Sequence, residues 1–257
     1  MINEFLANIV LAIVQGIAEW IPISSSSHLV LVGKLLGYDI SLQTSVALHF
    51  GTLMAVFVYF GKDIVNILRD LFRLKFKSED GKLGVAIIIA TIPAGIIGFF
   101  LRDIISEMGN NLRLIAIGLA ITSIILFIGS ISRNKNKDIG YGYALFIGCV
   151  QILSLFRGIS RSGSTISTAL LLGMNEKNAV KFSFLLSIPI IFGANILSIG
   201  NNTLPSELFI ASFVSFLVGL CMIHFSFKYI LSDRKNLRWF ALFVLLEAIV
   251  ILISILF

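Results

Sequence analysis

Long apolar stretches separated by short polar connectors dominate this sequence of 257 residues. A helix needs about 20 apolar residues to cross a bilayer. Six stretches reach or nearly reach that length, and they lack the period-two alternation of a membrane barrel strand. The pattern therefore predicts an all-α protein with six transmembrane helices, at about 42–60, 84–101, 112–132, 180–200, 207–227 and 239–257.

Two further apolar segments, 5–36 and 141–172, are interrupted by serine- and glycine-rich sequence. Their halves are too short to span. At membrane depth such broken helices are tolerated only where they are buried in protein or line a wet cavity. We expect each segment to form a re-entrant helical hairpin that precedes three transmembrane helices.

The two broken segments contain the same pattern. Residues 14–28 align without a gap on residues 150–164, with Val, Gln, an aromatic residue, Ile and two Ser in register. This indicates an internal repeat, with units at 1–134 and 138–257. Three crossings are an odd number, so the second unit should be inserted upside down relative to the first. The two hairpin tips could then meet near the midplane.

Composition agrees with a membrane protein. The chain is 57% hydrophobic and 13% charged, with a mean hydropathy of +0.98, whereas soluble domains have roughly 25% charged residues. The net charge of +6 comes from connectors, so topology explains it better than nucleic-acid binding does. Fifteen Lys and Arg would lie at one end and three at the other. We expect a multi-pass plasma-membrane protein with the basic end cytoplasmic and both termini and the site opening extracytoplasmic.

The second motif, residues 158–165, predicts an anion site. A fixed guanidinium, Arg161, suits phosphate oxygens, and the helix after it would point its N-terminus at the same place. A purely structural ion pair between Arg161 and Glu19 is the alternative. Arg157 is either a second phosphate contact or a side chain that snorkels to the cytoplasmic interface. The other candidate phosphate ligands are Ser160, Ser162, Gly163 and Thr165 of this motif, and Ser24, Ser26 and Ser27 of the first motif.

The first motif carries Gln15 and Glu19 about one helical turn apart. Their oxygens could hold a divalent cation such as Mg²⁺ or Ca²⁺, which should arrive with the substrate because only one ligand is acidic. Glu19 could instead act as a base, or it could be a buried partner of arginine.

Four serines and a histidine follow: Ser24, Ser25, Ser26, Ser27 and His28. A histidine can move protons near neutral pH, and a serine within its reach can be a nucleophile. Serines also cap helices, so the run is informative mainly beside Glu19 and Arg161. His49 and His224 are interpreted as hydrogen-bonded packing residues.

These motifs closely resemble the undecaprenyl-diphosphate phosphatases of the bacitracin-resistance type. That family has E-x-x-x-E running into P-V-S-S-x-x-H, and a second motif P-G-x-S-R-S-G-x-T. Here the first motif has Gln15 in place of the first acid, and the second has Arg157 in place of proline. The resemblance runs the whole length of the chain.

The resemblance implies hydrolysis of a long-chain polyprenyl diphosphate to the monophosphate, usually with a divalent cation, to recycle a lipid carrier. It makes Glu19 the acidic residue, Ser25 the candidate nucleophile and His28 the acid/base candidate. Whether serine or histidine attacks stays open, as does a homodimer. Because inverted repeats with broken helices are common in carriers, a polyprenyl-phosphate flippase is the alternative function. The implied diphosphate binders are Ser160, Arg161 and Thr165.

Overall fold

The computed structural model describes residues 3–199 and 205–256, and within these ranges the protein has helices and no strand. The helices are α1 Glu4–Ala18, α2 Ser25–Leu35, α3 Leu42–Tyr59, α4 Gly61–Phe72, α5 Glu79–Met108, α6 Leu112–Ser130, α7 Tyr141–Gln151, α8 Arg161–Leu171, α9 Glu176–Ile199, α10 Glu207–Phe225 and α11 Leu237–Leu256.

Six of the described helices are long and apolar enough to cross a membrane, which confirms the predicted class of fold. The candidate spans are Leu42–Tyr59, Glu79–Ile105, Leu112–Ser130, Glu176–Leu197, Glu207–Ile230 and Arg234–Leu256. Most of the predicted 201–206 connector falls outside the described residues. The division into units at 1–134 and 138–257 stays a prediction.

Both broken segments form pairs of short, packed helices. α1 packs against α2, and α7 packs against α8. At a rise of about 1.5 Å per residue, even the 15 residues of α1 cover only about 22 Å of a core that is about 30 Å thick. A short 3₁₀ turn, Ile152–Leu155, extends α7. Re-entrant insertion of these pairs stays a prediction.

Each short-helix pair packs on the opposite half of the chain. α1 lies against α10, whereas α7 lies against α5, and α3 and α9 pack together at the centre. α5 and α10 are the second spanning helices of their respective halves. This exchange is the packing expected of two related halves that face each other, although the inverted repeat itself stays a prediction.

Residues 61–83, between the first two predicted spans, contain a helix that the sequence analysis did not predict: residues 61–72 form α4, and α5 already begins at Glu79. Apolar and charged residues alternate at helical spacing in α4, so one face can pack while the other stays wet. Ile67 is its buried residue, whereas Val65 and Phe72 are exposed. The charged residues hid this amphipathic helix from a search for spanning stretches.

The basic connectors meet at one end of the bundle, where ion pairs and hydrogen bonds tie them together. Lys181 donates to Asp63 at 2.5 Å, and Arg234 donates to Glu176 at 2.6 Å and to Ser132 at 3.0 Å. These contacts link the starts of α4, α9 and α11 with the end of α6. The side of the membrane that this end faces stays a prediction.

Candidate active site

The tip of the first helix pair is a turn between α1 and α2. Glu19 caps α1 by donating its backbone N–H to the Gln15 carbonyl. Ser24, just before α2, has φ 70°, a left-handed conformation that is uncommon for a residue with a side chain. This backbone turns the Ser24 carbonyl towards α2, where the Ser27 hydroxyl donates to it at 2.8 Å.

The tip of the second pair is wedged against α6. Gly158 has φ +95°, and a Cβ there would lie 2.4 Å from the Ile115 carbonyl oxygen, so glycine is required. The Thr122 hydroxyl donates to the Gly158 carbonyl at 2.7 Å and accepts from the Ser160 N–H at 2.9 Å. Ser160 then caps α8 by accepting from the Gly163 N–H. Arg161 therefore starts α8 from a firmly held turn.

The two tips touch through a buried ion pair. Arg161 Nη2 donates to Glu19 Oε1 at 2.6 Å, and its Nη1 donates to the Ser183 carbonyl at 3.1 Å. The Ser162 hydroxyl adds a long contact of 3.4 Å to the Ile21 carbonyl. The structure thus brings together the two motifs, which are far apart in the sequence.

Glu19 is the centre of the cluster, and only 8% of it is exposed. Its Oε1 accepts from Arg161, while its Oε2 accepts from the Ser25 hydroxyl at 2.6 Å and from Gln15 Nε2 at 3.1 Å. His49 Nε2 lies 3.9 Å from the same Oε2. Oε1 of Glu19 therefore faces the Arg161 guanidinium, and Oε2 faces the Ser25 hydroxyl, which could become a nucleophile.

His28 is held away from Ser25. Its Nδ1 lies 3.0 Å from the Ser24 carbonyl, and its Nε2 lies 3.4 Å from Glu247 Oε1 on α11. Its ring also stacks on Phe243. The short hydrogen bond of Ser25 therefore runs to Glu19, which makes Glu19 the side chain placed to take the serine proton.

Most of the remaining candidate residues on the two tips have hydroxyl side chains. Thr165 donates to the Arg161 carbonyl at 2.8 Å and pairs with the Ser183 hydroxyl at 2.7 Å. Ser24 and Ser26 are 3.5 Å apart, and Ser160 and Ser162 are 3.3 Å apart. These hydroxyls can rotate to serve an anion, since each can donate or accept.

Arg157 lies apart from this cluster. Its Nη1 donates to Asn110 Oδ1 at 2.8 Å and to the Gly109 carbonyl at 3.2 Å. Both acceptors belong to the connector between α5 and α6, at the less basic end of the sequence-based topology. Both expectations for Arg157, a phosphate contact and snorkelling to the cytoplasmic interface, stay predictions.

The BacA family model, described as bacitracin resistance protein BacA, matches residues 8–250 of this chain, a range that includes both tips, the first five candidate spans and most of the sixth. The chain belongs to the BacA family. Among its relatives, an undecaprenyl-diphosphatase from Thermosipho africanus is 39% identical over 245 residues, 95% of this chain and 97% of the relative. One from Caldicellulosiruptor bescii is 44% identical over 227 residues, 84% and 85% of the two chains. One from Methanosphaera stadtmanae is 39% identical over 213 residues, 76% and 77% of the two chains.

The sequence interpretation of this BacA-family site did not single out Glu247, and it did not place His49 near Glu19. Glu247 is a carboxylate inside an apolar span, the same signal that singled out Glu19, but it lies far from both motifs. His49 was interpreted as a packing residue, and its ring does bond the Ser45 carbonyl at 2.8 Å. Its other nitrogen nevertheless faces Glu19. His224 packs as expected, beside Tyr59 at 3.4 Å.

The side-chain oxygens of Glu19 and Gln15 fit a divalent metal ion whose other ligands come mainly from the diphosphate of a substrate. Within residues 3–199 and 205–256, no group of three or more His, Cys, Asp or Glu side chains is arranged to hold a metal. Gln15 Oε1, however, is buried without a hydrogen-bond partner next to Glu19. A hard cation could take this oxygen and one from Glu19, with diphosphate oxygens completing its shell.

Proposed function

We propose that this protein hydrolyses a long-chain polyprenyl diphosphate, undecaprenyl diphosphate or a close relative, to the monophosphate and inorganic phosphate. The observation that carries the proposal is the shared carboxylate of Glu19, which binds Arg161 at 2.6 Å through one oxygen and Ser25 at 2.6 Å through the other. The Arg161 guanidinium, which could bind an anion, and the Ser25 hydroxyl, which could be activated as a nucleophile, therefore bond different oxygens of the Glu19 carboxylate. The names of the relatives favour hydrolysis over lipid movement.

Substrate binding would exchange partners at Arg161. A diphosphate offers more negative charge than Glu19 and matches the planar guanidinium in a bidentate fashion. As Arg161 turns to the phosphate, Glu19 loses its cation and becomes a better proton acceptor. The N-terminal amides of α8 and the hydroxyls of Ser160, Ser162 and Thr165 would supply further donors. Substrate binding would thereby make Glu19 able to accept the proton of Ser25.

The chemical step would follow from this arrangement. Ser25 attacks the terminal phosphorus, its proton passes to Glu19, and the bond between that phosphorus and the bridging oxygen breaks. Arg161 stabilises the charge that develops on the transferring phosphoryl group in a site with little water. Water then hydrolyses the phosphoserine, and the proton on Glu19 returns to Ser25.

A divalent cation would supply Lewis-acid stabilisation of the diphosphate when it is bound. Gln15 and Glu19 are the protein side chains placed to hold it. Because this chain has Gln15 where an acid would bring a second charge, the protein contributes little charge of its own, and we expect the cation to bind weakly without substrate.

The lipid part of the substrate fits the setting of the site. The spanning helices expose many large apolar side chains, among them Phe243 on α11 beside His28. A prenyl tail could lie against this surface while the diphosphate reaches the tips.

We infer that the site opens to the extracytoplasmic face, opposite the basic connectors. Membrane-impermeant labelling of single cysteines placed at Lys77 and Asp39 would test this: only the latter should react from outside.

The direct test of function is phosphate release from undecaprenyl diphosphate by the purified protein in detergent, where no sidedness exists. We expect Arg161→Ala to lower kcat/KM by about 10²–10³-fold, the usual cost of removing one group that stabilises transition-state charge. Arg157→Ala is the matched control, since its guanidinium bonds the α5–α6 connector.

In the same assay, a chelator of divalent metal ions should lower phosphate release, and added Mg²⁺ or Ca²⁺ should restore it.

No phosphate release by the wild-type protein would refute the proposed hydrolysis. Normal turnover in Arg161→Ala would remove the second motif from the site. Full activity in chelator would leave hydrolysis standing but refute the cation.

A further inference from the structure

Glu247 is a carboxylate that the mechanism above leaves without a role. It lies in the middle of α11, inside the apolar span Arg234–Leu256, and its side chain is 15% exposed. A carboxylate at membrane depth is costly, so it is expected to have a partner and a function. Nothing in the two sequence motifs accounts for it.

Among the described residues, the charged group that lies beside Glu247 is His28. Glu247 Oε1 is 3.4 Å from His28 Nε2, whereas its Oε2 is buried and has no hydrogen-bond partner. Phe243, one helical turn earlier on the same face of α11, stacks on the imidazole with ring centroids 6.0 Å apart and planes 17° apart. One face of α11 therefore fixes both the position and the plane of the His28 ring.

The hydrogen-bonding pattern leaves Nε2 of His28 as the nitrogen that can carry a proton for transfer. A carbonyl can only accept, so the Nδ1 that faces the Ser24 carbonyl must carry a hydrogen. A further proton on the His28–Glu247 pair can lie on Nε2 or on the Glu247 carboxyl group. The pair can therefore hold one proton for transfer.

We propose that Glu247 is a positioning residue that keeps His28 loaded as the general acid of the reaction; the inference rests on the proposed hydrolysis. The Nε2–Oε1 distance is longer than the usual 2.9–3.0 Å of an N–H···O hydrogen bond. An incoming phosphate oxygen can therefore replace Glu247 as the acceptor of the Nε2 proton.

The proton transfer completes the hydrolysis. As the bond from the terminal phosphorus to the bridging oxygen breaks, the proton of the His28–Glu247 pair moves to that oxygen, and the lipid monophosphate leaves. The pair is then left with one negative charge. The water that later attacks the phosphoserine gives one hydrogen to the pair and keeps the other in the released phosphate, while Glu19 returns its proton to Ser25. All groups end as they began.

This assignment divides the work between two carboxylates on different helices. Glu19, on the first tip, faces the nucleophile and Arg161, whereas Glu247, on α11, faces the acid. Gln15, beside Glu19, is not acidic. In this assignment the second carboxylate of the site is therefore Glu247, on the last span. Separate carboxylates keep the proton acceptor and the proton donor apart, which general acid–base catalysis requires.

The test compares Glu247→Gln, Glu247→Asp and the control Ser254→Ala, a polar residue of α11 that bonds only its own helix. Each variant is assayed for phosphate release from undecaprenyl diphosphate in detergent. Glu247→Gln keeps the size of the side chain but not its charge. We expect it to lower kcat about 10- to 100-fold with KM unchanged, because general acid catalysis contributes about 10²–10⁴-fold. Glu247→Asp should recover part of the loss.

A double-mutant cycle separates positioning from mere packing. In a His28→Ala background, Glu247→Gln should cause no further loss if Glu247 acts through His28. An undiminished kcat in Glu247→Gln, an equal loss in Glu247→Asp, or a full additional loss in the His28→Ala background would each overturn the inference. Activity of the wild-type protein in the same assay keeps the proposed function intact in all three cases.

Discussion

At the scale of single residues, the structure separates the two candidates for activating Ser25. Its hydroxyl bonds Glu19 at 2.6 Å, while both nitrogens of His28 face other groups, the Ser24 carbonyl and Glu247. The sequence placed Ser25 and His28 one turn apart on α2 and left either histidine or glutamate as the base. Side-chain direction supports Glu19 as the base in the proposed mechanism, and it depends on the strained backbone of Ser24 and on a distant helix.

The role of Ser25 as nucleophile is directly testable. Replacement by Ala should lower kcat by about 10³-fold or more, as expected when a covalent nucleophile is lost. Ser254→Ala on α11 is the control, since Ser254 lies outside both tips and its hydroxyl donates to the Ile251 carbonyl. Rapid acid quenching with radiolabelled substrate should place the phosphate on Ser25. Label on His28 would contradict the assignment.

The residue scale also shows what the sequence could predict. Glu19, Arg161 and the hydroxyls stood out because polar groups in apolar sequence are costly, and the structure brings these residues together. Glu247 carried the same signal but lacked a motif around it. Its importance depends on the approach of α11 to His28, which no local pattern encodes. Arg157 sits in the motif, yet its side chain bonds Asn110 and Gly109 in the α5–α6 connector.

At the scale of elements, each tip depends on a backbone conformation that its sequence makes accessible. The second tip needs Gly158, whose φ of +95° and contact with the Ile115 carbonyl leave no room for a side chain. The hydroxyl of Thr122 then fixes the turn to α6. The position of Arg161 is therefore set by α6 as much as by α8.

Substitution of Gly158 tests this dependence. Gly158→Ala should destabilise the protein by about 1–3 kcal/mol from backbone strain alone, and steric overlap adds to this. Gly95→Ala on α5 is the matched control: no atom lies within 4 Å of the added Cβ, and alanine favours a helix. Thermal unfolding in detergent should show a lower midpoint only for Gly158→Ala. An unchanged midpoint would mean that the turn can relax.

The elements that the sequence predicted best were the long apolar ones. All six spanning stretches were found because length and hydropathy alone identify them. The amphipathic helix α4 was missed, since its charged residues resemble those of a connector. The short helices were predicted as broken segments, yet their exact ends depend on caps such as Ser160 and Glu19, which only the folded chain satisfies.

At the scale of the whole molecule, the site is a product of how the two halves pack. α1 rests on α10 and α7 rests on α5, so each tip is supported by the opposite half. Neither half contains both Glu19 and Arg161. A single half could therefore form spanning helices but not the ion pair on which the proposed chemistry depends.

An experimental structure with a non-hydrolysable undecaprenyl methylenediphosphonate tests this central claim most directly. The account predicts that the terminal phosphonate lies within hydrogen-bond distance of both the Ser25 hydroxyl and the Arg161 guanidinium, with Arg161 released from Glu19. A phosphonate bound instead beside Arg157 and the α5–α6 connector, with the Glu19–Arg161 pair undisturbed, would contradict it.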